Sequence, residues 1–221
     1  MLTQSSSKLA VWDLPTRLFH WLLAIFVIIS FATAKIGGNA MQYHEWSGLT
    51  ILVLILFRLI WGFVGTRESR FMVFVKSPSA VARYAVTLPR KDSPRCLGHN
   101  PLGGWSIIAM LFALWVQAAT GLFANDDIAA EGPLYQWVSK ATSDVLTRIH
   151  RLNQEIIIVL VSIHVLAVLF YFFYKRENLI IPMVTGFKHW NAADSEPTTA
   201  PTWMAALITG LAGLAVYLLV R

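Results

Sequence analysis

Five long runs of apolar residues constrain this chain more than any other feature of its sequence. About 20 apolar residues in helical form cross the hydrocarbon core of a bilayer, and the runs occupy residues 18–34, 46–64, 103–123, 156–174 and 203–220. Hydrophobic residues make up 56% of the chain and charged residues only 14%, which is unusual for a soluble domain. The sequence therefore predicts an all-α integral membrane bundle, with four core helices and a fifth C-terminal transmembrane helix.

Basic residues are distributed unevenly between the two ends of the predicted helices. Lys and Arg in short loops are retained on the cytoplasmic side, and a cytoplasmic N-terminus places 13 of the 18 there. This pattern predicts a multi-pass protein of the bacterial inner membrane, in contact with membrane lipid. It also accounts for the pI of about 9.7 without nucleic acid as a partner. Below, "inner" denotes the side of the N-terminus and "outer" the opposite side.

The connecting segments differ in character. The first seven residues are polar and are predicted to be frayed. The inner connection at 65–101 favours a short helix at 79–87. The outer connection at 124–148 is acidic and then amphipathic, which predicts a helix lying along the membrane surface before the fourth transmembrane helix. Residues 188–202 form a predicted polar cytoplasmic linker, which separates a domain at 11–187 from the last helix at 203–220.

Four of the six histidines fall within the predicted helices or at their ends. His20 lies one turn into the first helix, His44 opens the second, His150 opens the fourth, and His164 lies in its middle. A strongly polar side chain inside a membrane costs several kcal/mol unless it is paired, so each such histidine marks a functional candidate. Taken singly, His44 and His150 also fit interfacial histidines bonded to water, and His164 fits one bonded to a neighbouring helix.

The spacing of these histidines suggests two stacked sites. His150 and His164 are 14 residues apart, which places them on nearly one face of a helix and about 21 Å apart along its axis. With the N-terminus inside, His44 and His150 share the outer level, and His20 shares the inner level with His164. Two imidazoles from two facing helices form the ligand set of a low-spin haem iron.

Other metal chemistries are less favoured. A zinc site needs three or four converging ligands, whereas these histidines divide into two distant pairs. The single cysteine, Cys96, lies outside any C-x-x-C-H motif, which excludes covalent attachment of c-type haem. The sequence therefore predicts two non-covalent b haems, with His20, His44, His150 and His164 as iron ligands.

Six short motifs carry a family resemblance. They are WDLPTRLFHW (12–21), YHEWSG (43–48), FRLIWGFVG (57–65), GHNPLGGWS (98–106), TGLF (120–123) and RIHRLN (148–153). Together they resemble the bacterial cytochrome b561 family, which includes the b-type cytochrome subunits of nickel-iron hydrogenases. The resemblance covers roughly residues 11–187. It implies a four-helix core that carries two b haems on histidines of helices one, two and four, so that His20 and His164 would hold the inner haem.

Further polar residues are candidates for contacts with cofactors. Arg17 and Arg58 lie near the inner helix ends, where they would either pair with haem propionates or simply extend towards water. His99 and Asn100 would either bond a quinone headgroup at the inner haem or cap the third helix. Near the outer haem the candidates for a quinone or proton site are Gln117, Thr120 and Asp126, and Trp46 and Trp61 are candidates for haem-edge contacts.

The fifth helix lies beyond the four-helix core and is interpreted as an anchor or a partner-contact helix. Its small residues would permit close packing against a neighbouring helix; they are Ala205, Ala206, Gly210 and Gly213.

Three functions are compatible with this sequence. The first is electron transfer across the membrane between the quinone pool and a redox partner, expected at the periplasmic face. The second is a superoxide:quinone oxidoreductase, in which Lys140, Arg148 and Arg151 would attract a small anion. The third is a membrane-anchor subunit of a hydrogenase or dehydrogenase complex.

Overall fold

Five helices form the body of the molecule. The computed structural model describes residues 6–91, 93–128, 130–191 and 200–221. Within these residues five helices are long and apolar enough to cross a membrane. They are α1 (Leu14–Ile36), α2 (Met41–Val64), α5 (Pro101–Gly121), α6 (Lys140–Phe173) and α8 (Thr202–Val220). The five predicted membrane helices are confirmed, and together they form a membrane bundle.

Shorter elements lie between them. They are α3 (Phe71–Phe74), α4 (Pro78–Thr87), α7 (Ile180–Thr185), β1 (Ser6–Ala10) and β2 (Phe187–Asn191). The helix predicted at 79–87 is confirmed as α4. It begins where the side chain of Ser77 accepts a hydrogen bond from the backbone of Ala80 and where Pro78 occupies the first helical position, as helix N-termini favour.

The long helices pack as two pairs joined through α2. α1 packs on α2, α5 packs on α6, and α2 also contacts α5 and α8. Among the described helices, α1 and α6 do not pack closely on each other. The space between them is where their histidine side chains meet.

The predicted surface helix in the outer connection is wrong. α6 begins at Lys140 and continues without a break to Phe173, so the amphipathic segment is collinear with the fourth transmembrane helix. No Gly or Pro interrupts these 34 residues. The polar first turns are held by the outer connection, because Ser143 Oγ donates to the carbonyl of Phe123 at 2.6 Å and Thr147 Oγ1 accepts from the backbone N–H of Asn125 at 3.0 Å.

The fifth membrane helix is part of the bundle. α8 packs on α2 through a buried face formed by Ala205, Ile208, Ala212 and Val216. Gly210 and Gly213 do not pack on another described helix of the chain, since a Cβ added at either position meets none of the described atoms within 4 Å, so their close packing against a partner helix stays a prediction. Ala205 lies in the interface, whereas Ala206 is exposed.

A short antiparallel ribbon joins the two ends of the predicted core on the inner side. β1 pairs with β2, with Ser6 opposite Asn191 and Ala10 opposite Phe187. Residues 6 and 7 of the segment predicted to be frayed, and 188–191 of the predicted linker, are therefore in strands. Residues 1–5 and 192–199 lie outside the described residues. Neither strand has an alternating pattern strong enough to indicate a partner so distant in sequence.

Candidate cofactor site

Two pairs of histidine rings face each other between the helices. The ring centroids of His20 and His164 are 6.3 Å apart, and those of His44 and His150 are 6.1 Å apart. These are the two pairings that the sequence predicts. Fourteen residues separate His150 from His164, so the two levels are about 21 Å apart along α6.

Both separations fit a metal ion held between two imidazoles. An imidazole nitrogen binds a metal at about 2 Å and the ring centre lies roughly 1 Å further, which places two opposed rings about 6 Å apart. Among the described residues, no group of three or more His, Cys, Asp or Glu side chains converges on a metal-sized site. The geometry therefore suits bis-histidine ligation and does not suit a zinc site.

The outer histidines present one free nitrogen each. His44 Nδ1 lies 2.8 Å from the carbonyl of Ser30, and His150 Nδ1 lies 2.9 Å from the carbonyl of Gln117. A carbonyl can only accept, so each Nδ1 carries the proton and each Nε2 keeps a lone pair. This is the tautomer in which imidazole binds a metal through Nε2.

The surroundings of the outer pair accommodate a large planar group. Gly121 lies against the ring of His150, where an added Cβ would fall 2.9 Å from Cε1. One helical turn from His44, Gly48 faces open space, since a Cβ there meets none of the described atoms within 4 Å. At position 121 only glycine leaves the His150 ring in place. The space beside Gly48 is open, and a larger side chain at that position would fill it.

Gln117 and Thr120 support His150. The Gln117 side chain accepts a hydrogen bond from the buried Asn153 at 2.7 Å, and Thr120 Oγ1 lies 3.3 Å from His150 Nδ1. Asn153 also donates to the carbonyl of Ala113 at 2.8 Å. These contacts hold α6 on α5, so Gln117 and Thr120 help to orient the histidine. Their predicted part in a quinone or proton site stays a prediction.

Unpartnered polar atoms collect at the inner level. Within the described residues, five buried side-chain atoms have no hydrogen-bond partner: Thr16 Oγ1, Arg17 Nε, His20 Nδ1, Arg58 Nη1 and His99 Nδ1. Buried polar atoms are normally satisfied. Such a cluster beside a histidine pair fits a cofactor that carries acceptor groups, as haem does with its two propionates.

Arg58 and His99 approach the inner pair from different elements. Arg58 is 3% exposed, and its guanidinium lies over the ring of Phe71 at 4.9 Å. The His99 ring lies between Trp12 and Phe74, with centroids 4.5 and 4.9 Å away. Removal of His99 from water, together with the nearby charge of Arg58, lowers the pKa of His99 to about 3. His99 is therefore neutral.

Arg17 and Asn100 have clear structural roles. Arg17 Nη1 donates to the carbonyl of Val184 at 2.6 Å, which ties α1 to α7 and leaves Nε unpartnered. Asn100 Oδ1 accepts from the backbone N–H of Gly103 at 2.8 Å, and its amide donates to the hydroxyl of Tyr171 at 2.8 Å. Asn100 is thus the N-cap of α5. Its contact with a quinone stays a prediction.

An apolar layer separates the two levels. Ile51, Ile55 and Leu114 are buried together, with Ile157 and side chains of α1 packed around them. Ile51 and Ile55 lie between His44 and Arg58 in α2, and Ile157 lies between the two histidines of α6.

Comparison with known proteins identifies the family. The model of the prokaryotic cytochrome b561 family matches residues 11–186. The chain belongs to the prokaryotic cytochrome b561 family. Membership implies haem b and makes this protein a membrane electron-transfer cytochrome. The ring separation in each histidine pair is compatible with a haem iron between the two imidazoles.

Relatives of this cytochrome b561 family member are distant in sequence, but the matched region spans most of each relative's length. A probable Ni/Fe-hydrogenase 1 B-type cytochrome subunit of Escherichia coli K12 is 26% identical, over 80% of this chain and 89% of the relative. A probable Ni/Fe-hydrogenase B-type cytochrome subunit of Bradyrhizobium diazoefficiens is 23% identical, over 80% and 84%. A probable superoxide oxidase CybB of Yersinia pestis is 23% identical, over 75% and 90%. No solved structure matches the chain.

The outer surface of this cytochrome carries paired and unpaired charges. Lys140 forms ion pairs with Asp127, at 2.5 Å, and with Asp144, so its charge is largely neutralised. Arg148 and Arg151 are exposed. Asp126 accepts hydrogen bonds from two backbone N–H groups of its own loop, which gives it a structural role.

The two tryptophan candidates differ in burial. Trp46 is 53% exposed and Trp61 is fully buried. Trp61 Nε1 donates to Asp13 Oδ2 at 3.1 Å. Trp46 therefore fits an interfacial position and Trp61 a structural one.

Sequence reasoning missed Asp13. Its carboxylate caps α1 through the backbone N–H of Thr16 at 2.6 Å and accepts hydrogen bonds from Trp61 and Thr66 of the α2 end. The signal was present, since Asp before Leu-Pro is a typical start of a helix. Asp13 fixes the inner ends of α1 and α2 relative to each other.

Proposed function

We propose that this protein is a di-haem b-type cytochrome that carries electrons across the membrane between the quinone pool and a redox partner on the outer side. The observation that carries the proposal is the pair of imidazole–imidazole separations, 6.3 and 6.1 Å, at two levels of one bundle. Haem iron, when bound, supplies one-electron chemistry. The chain supplies the ligands, their spacing and the polar groups around them.

Each residue group has a part in this proposal. His20 and His164 hold the inner haem, and His44 and His150 hold the outer one. With two histidine ligands, each haem iron would serve electron transfer rather than oxygen binding. The free donor atoms of Arg17 and Arg58 suit haem propionates, since a charge-assisted hydrogen bond to a carboxylate is among the stronger ones in proteins.

Quinone exchange is proposed at the inner end. His99 supports this, because its ring is neutral and its Nδ1 has no partner among the described residues. Asn100 lies beside it, but its side chain is already bonded to Gly103 and Tyr171. A quinone that binds there would find an unpartnered nitrogen at His99, whereas the Asn100 side chain would have to give up an existing bond.

Haem stoichiometry and two histidine variants test the proposal. A pyridine haemochrome assay on the purified protein is expected to give two extractable b haems per chain. His164→Ala is expected to remove one spectral component and His44→Ala the other, because the two sites use different turns of the bundle. A ratio near one, or loss of the same component in both variants, would contradict the proposed pairing.

A second candidate is a superoxide:quinone oxidoreductase. The likeness to the probable superoxide oxidase of Yersinia pestis supports it, as do the exposed guanidinium groups of Arg148 and Arg151 close to His150. Rapid reduction of the haems by superoxide without a protein partner is the distinguishing observation. Replacement of Arg148 and Arg151 by Gln is then expected to slow the reaction and weaken its dependence on ionic strength.

A third candidate is the membrane subunit of a hydrogenase or dehydrogenase complex. The hydrogenase cytochrome subunits support it, since this chain spans 84% and 89% of two of them. Co-purification of a redox-active soluble subunit from native membranes would favour this candidate. A cytochrome that isolates alone and still exchanges electrons with quinone would favour the first.

A further inference from the structure

The two histidine levels differ in the groups that surround them. At the outer level, His44 and His150 each donate Nδ1–H to a backbone carbonyl, at 2.8 and 2.9 Å. Such hydrogen bonds raise the basicity of a metal-bound imidazole. A more strongly donating ligand favours the oxidised metal, and hydrogen bonding around a haem is one of the levers that set its reduction potential.

The inner level lacks this bond at His20. Its Nδ1 is buried, and no hydrogen-bond partner lies within reach among the described residues. His20 is therefore a weaker donor than the two outer histidines. Ligand basicity alone favours the reduced state more strongly at the inner level.

A buried positive charge lies at the inner level. Arg58 follows His44 by 14 residues in α2, the same interval that separates His150 from His164 in α6. Arg58 therefore lies about 21 Å from His44 along α2, at the depth of the inner pair. It is 3% exposed, and its Nη1 has no partner in the part of the chain that the structure describes. At the outer level the neighbouring arginines are exposed and are screened by water.

No carboxylate of the described residues pairs directly with Arg58. Asp13 interacts electrostatically with Arg58 but forms no direct ion pair with it, and its oxygens accept from Thr16, Trp61 and Thr66. The Nη1 donor of Arg58 is consequently available to a cofactor, since it has no partner among the described residues. A buried cation stabilises the state that holds one more electron, and its effect is strong where water is excluded.

We propose that Arg58 holds the inner haem at a higher reduction potential than the outer haem. The inference rests on the proposed di-haem function. With both haems bound, one electron would pass from the outer iron, which would be oxidised, to the inner iron, which would be reduced, with no bond or proton exchanged. An electron that enters from the outer side therefore comes to rest at the inner level, next to His99.

Potentiometric titration of the purified holoprotein tests the proposal. Wild type is expected to show two components, of which His164→Ala removes the higher and His44→Ala the lower. Arg58→Met is expected to lower only the higher component, by at least a tenfold change in its reduction equilibrium, which is about 59 mV for one electron. Arg58→Lys keeps the charge and should restore most of the shift.

Controls separate this effect from general ones. Arg83→Met removes the same charge from an exposed position of α4 and is expected to leave both potentials unchanged. If Arg58→Met does not accumulate, Arg58→Gln provides the same measurement with a side chain that still forms hydrogen bonds.

Two results would overturn the proposal. One is that His164→Ala retains the component with the higher reduction potential and loses the lower one. The other is that both uncharged variants, Arg58→Met and Arg58→Gln, keep the wild-type potential of the inner component. Failure of the di-haem function is distinguishable, because it appears in wild type as a haem ratio near one or as a single redox component.

Discussion

Gly121→Ala is the substitution that tests the outer histidine pair most directly. Gly121 ends α5 and lies against the ring of His150. A Cβ at this position falls 2.9 Å from His150 Cε1 and 3.3 Å from its Nδ1. Ordinary carbon–carbon contacts lie at about 3.5–4.0 Å, so the ring has to retreat by roughly 0.6–1 Å.

A shift of this size is more than a metal ligand tolerates. Metal–ligand distances hold within about 0.2 Å, and the hydrogen bond from His150 to Gln117 is already 2.9 Å long. Overpacking costs about 1–3 kcal/mol, which corresponds to roughly 5- to 150-fold weaker haem binding at the outer level. Gly121 has no positive φ, and alanine favours a helix over glycine by about 0.5–1 kcal/mol, so the fold should persist.

The assay is the haem-to-protein ratio together with the reduced-minus-oxidised spectrum of the purified variant. We expect the ratio to fall towards one, with loss of the component that His44→Ala removes. Gly210→Ala in α8 is the matched control, since a Cβ there meets no atom within 4 Å. Two haems with an unchanged outer spectrum in Gly121→Ala would refute the reasoning.

Three further predictions follow from particular contacts. Gly48→Leu should displace the outer haem, although no described protein atom opposes the new side chain. Gly210→Leu is the control and should keep both haems. Equal haem content in the two variants would show that haem does not occupy the space beside Gly48. Asn153→Ala removes two buried hydrogen bonds to α5 and should destabilise the protein by about 1–3 kcal/mol, measured as a lower thermal midpoint; an unchanged midpoint would contradict this. Desolvation raises the pKa of the Cys96 thiol, which lowers its thiolate fraction at a given pH. An impermeant maleimide should label Cys96 only from the cytoplasmic side, where the predicted topology places it. Because of the raised pKa, the labelling rate should still rise with pH where that of an ordinary thiol of pKa about 8.5 has levelled off. Labelling from the outer side would contradict the predicted orientation.

The boundaries of the helices show how much of each helix the local hydropathy pattern predicts. The apolar runs indicate where each helix crosses the membrane, but α6 begins at Lys140, 16 residues before its apolar run at 156. Polar residues continue a helix when a neighbouring segment satisfies them, as the outer connection does for Ser143 and Thr147. Hydropathy cannot show such support, because it is made by residues that are distant in sequence or on another element.

The sequence by itself determined the number of membrane helices and the two levels at which histidines meet. Both follow from the rise and periodicity of the α-helix, which depend only on residue spacing along one chain segment. The tertiary structure decided which groups surround those histidines. The acceptors of the outer Nδ1 protons are backbone carbonyls of Ser30 and Gln117, which have no signature in a sequence because every residue has a carbonyl. The convergence of Arg58 and His99 on the inner pair, and the pairing of β1 with β2, likewise depend on contacts between segments far apart in the chain, and only packing in three dimensions fixes them.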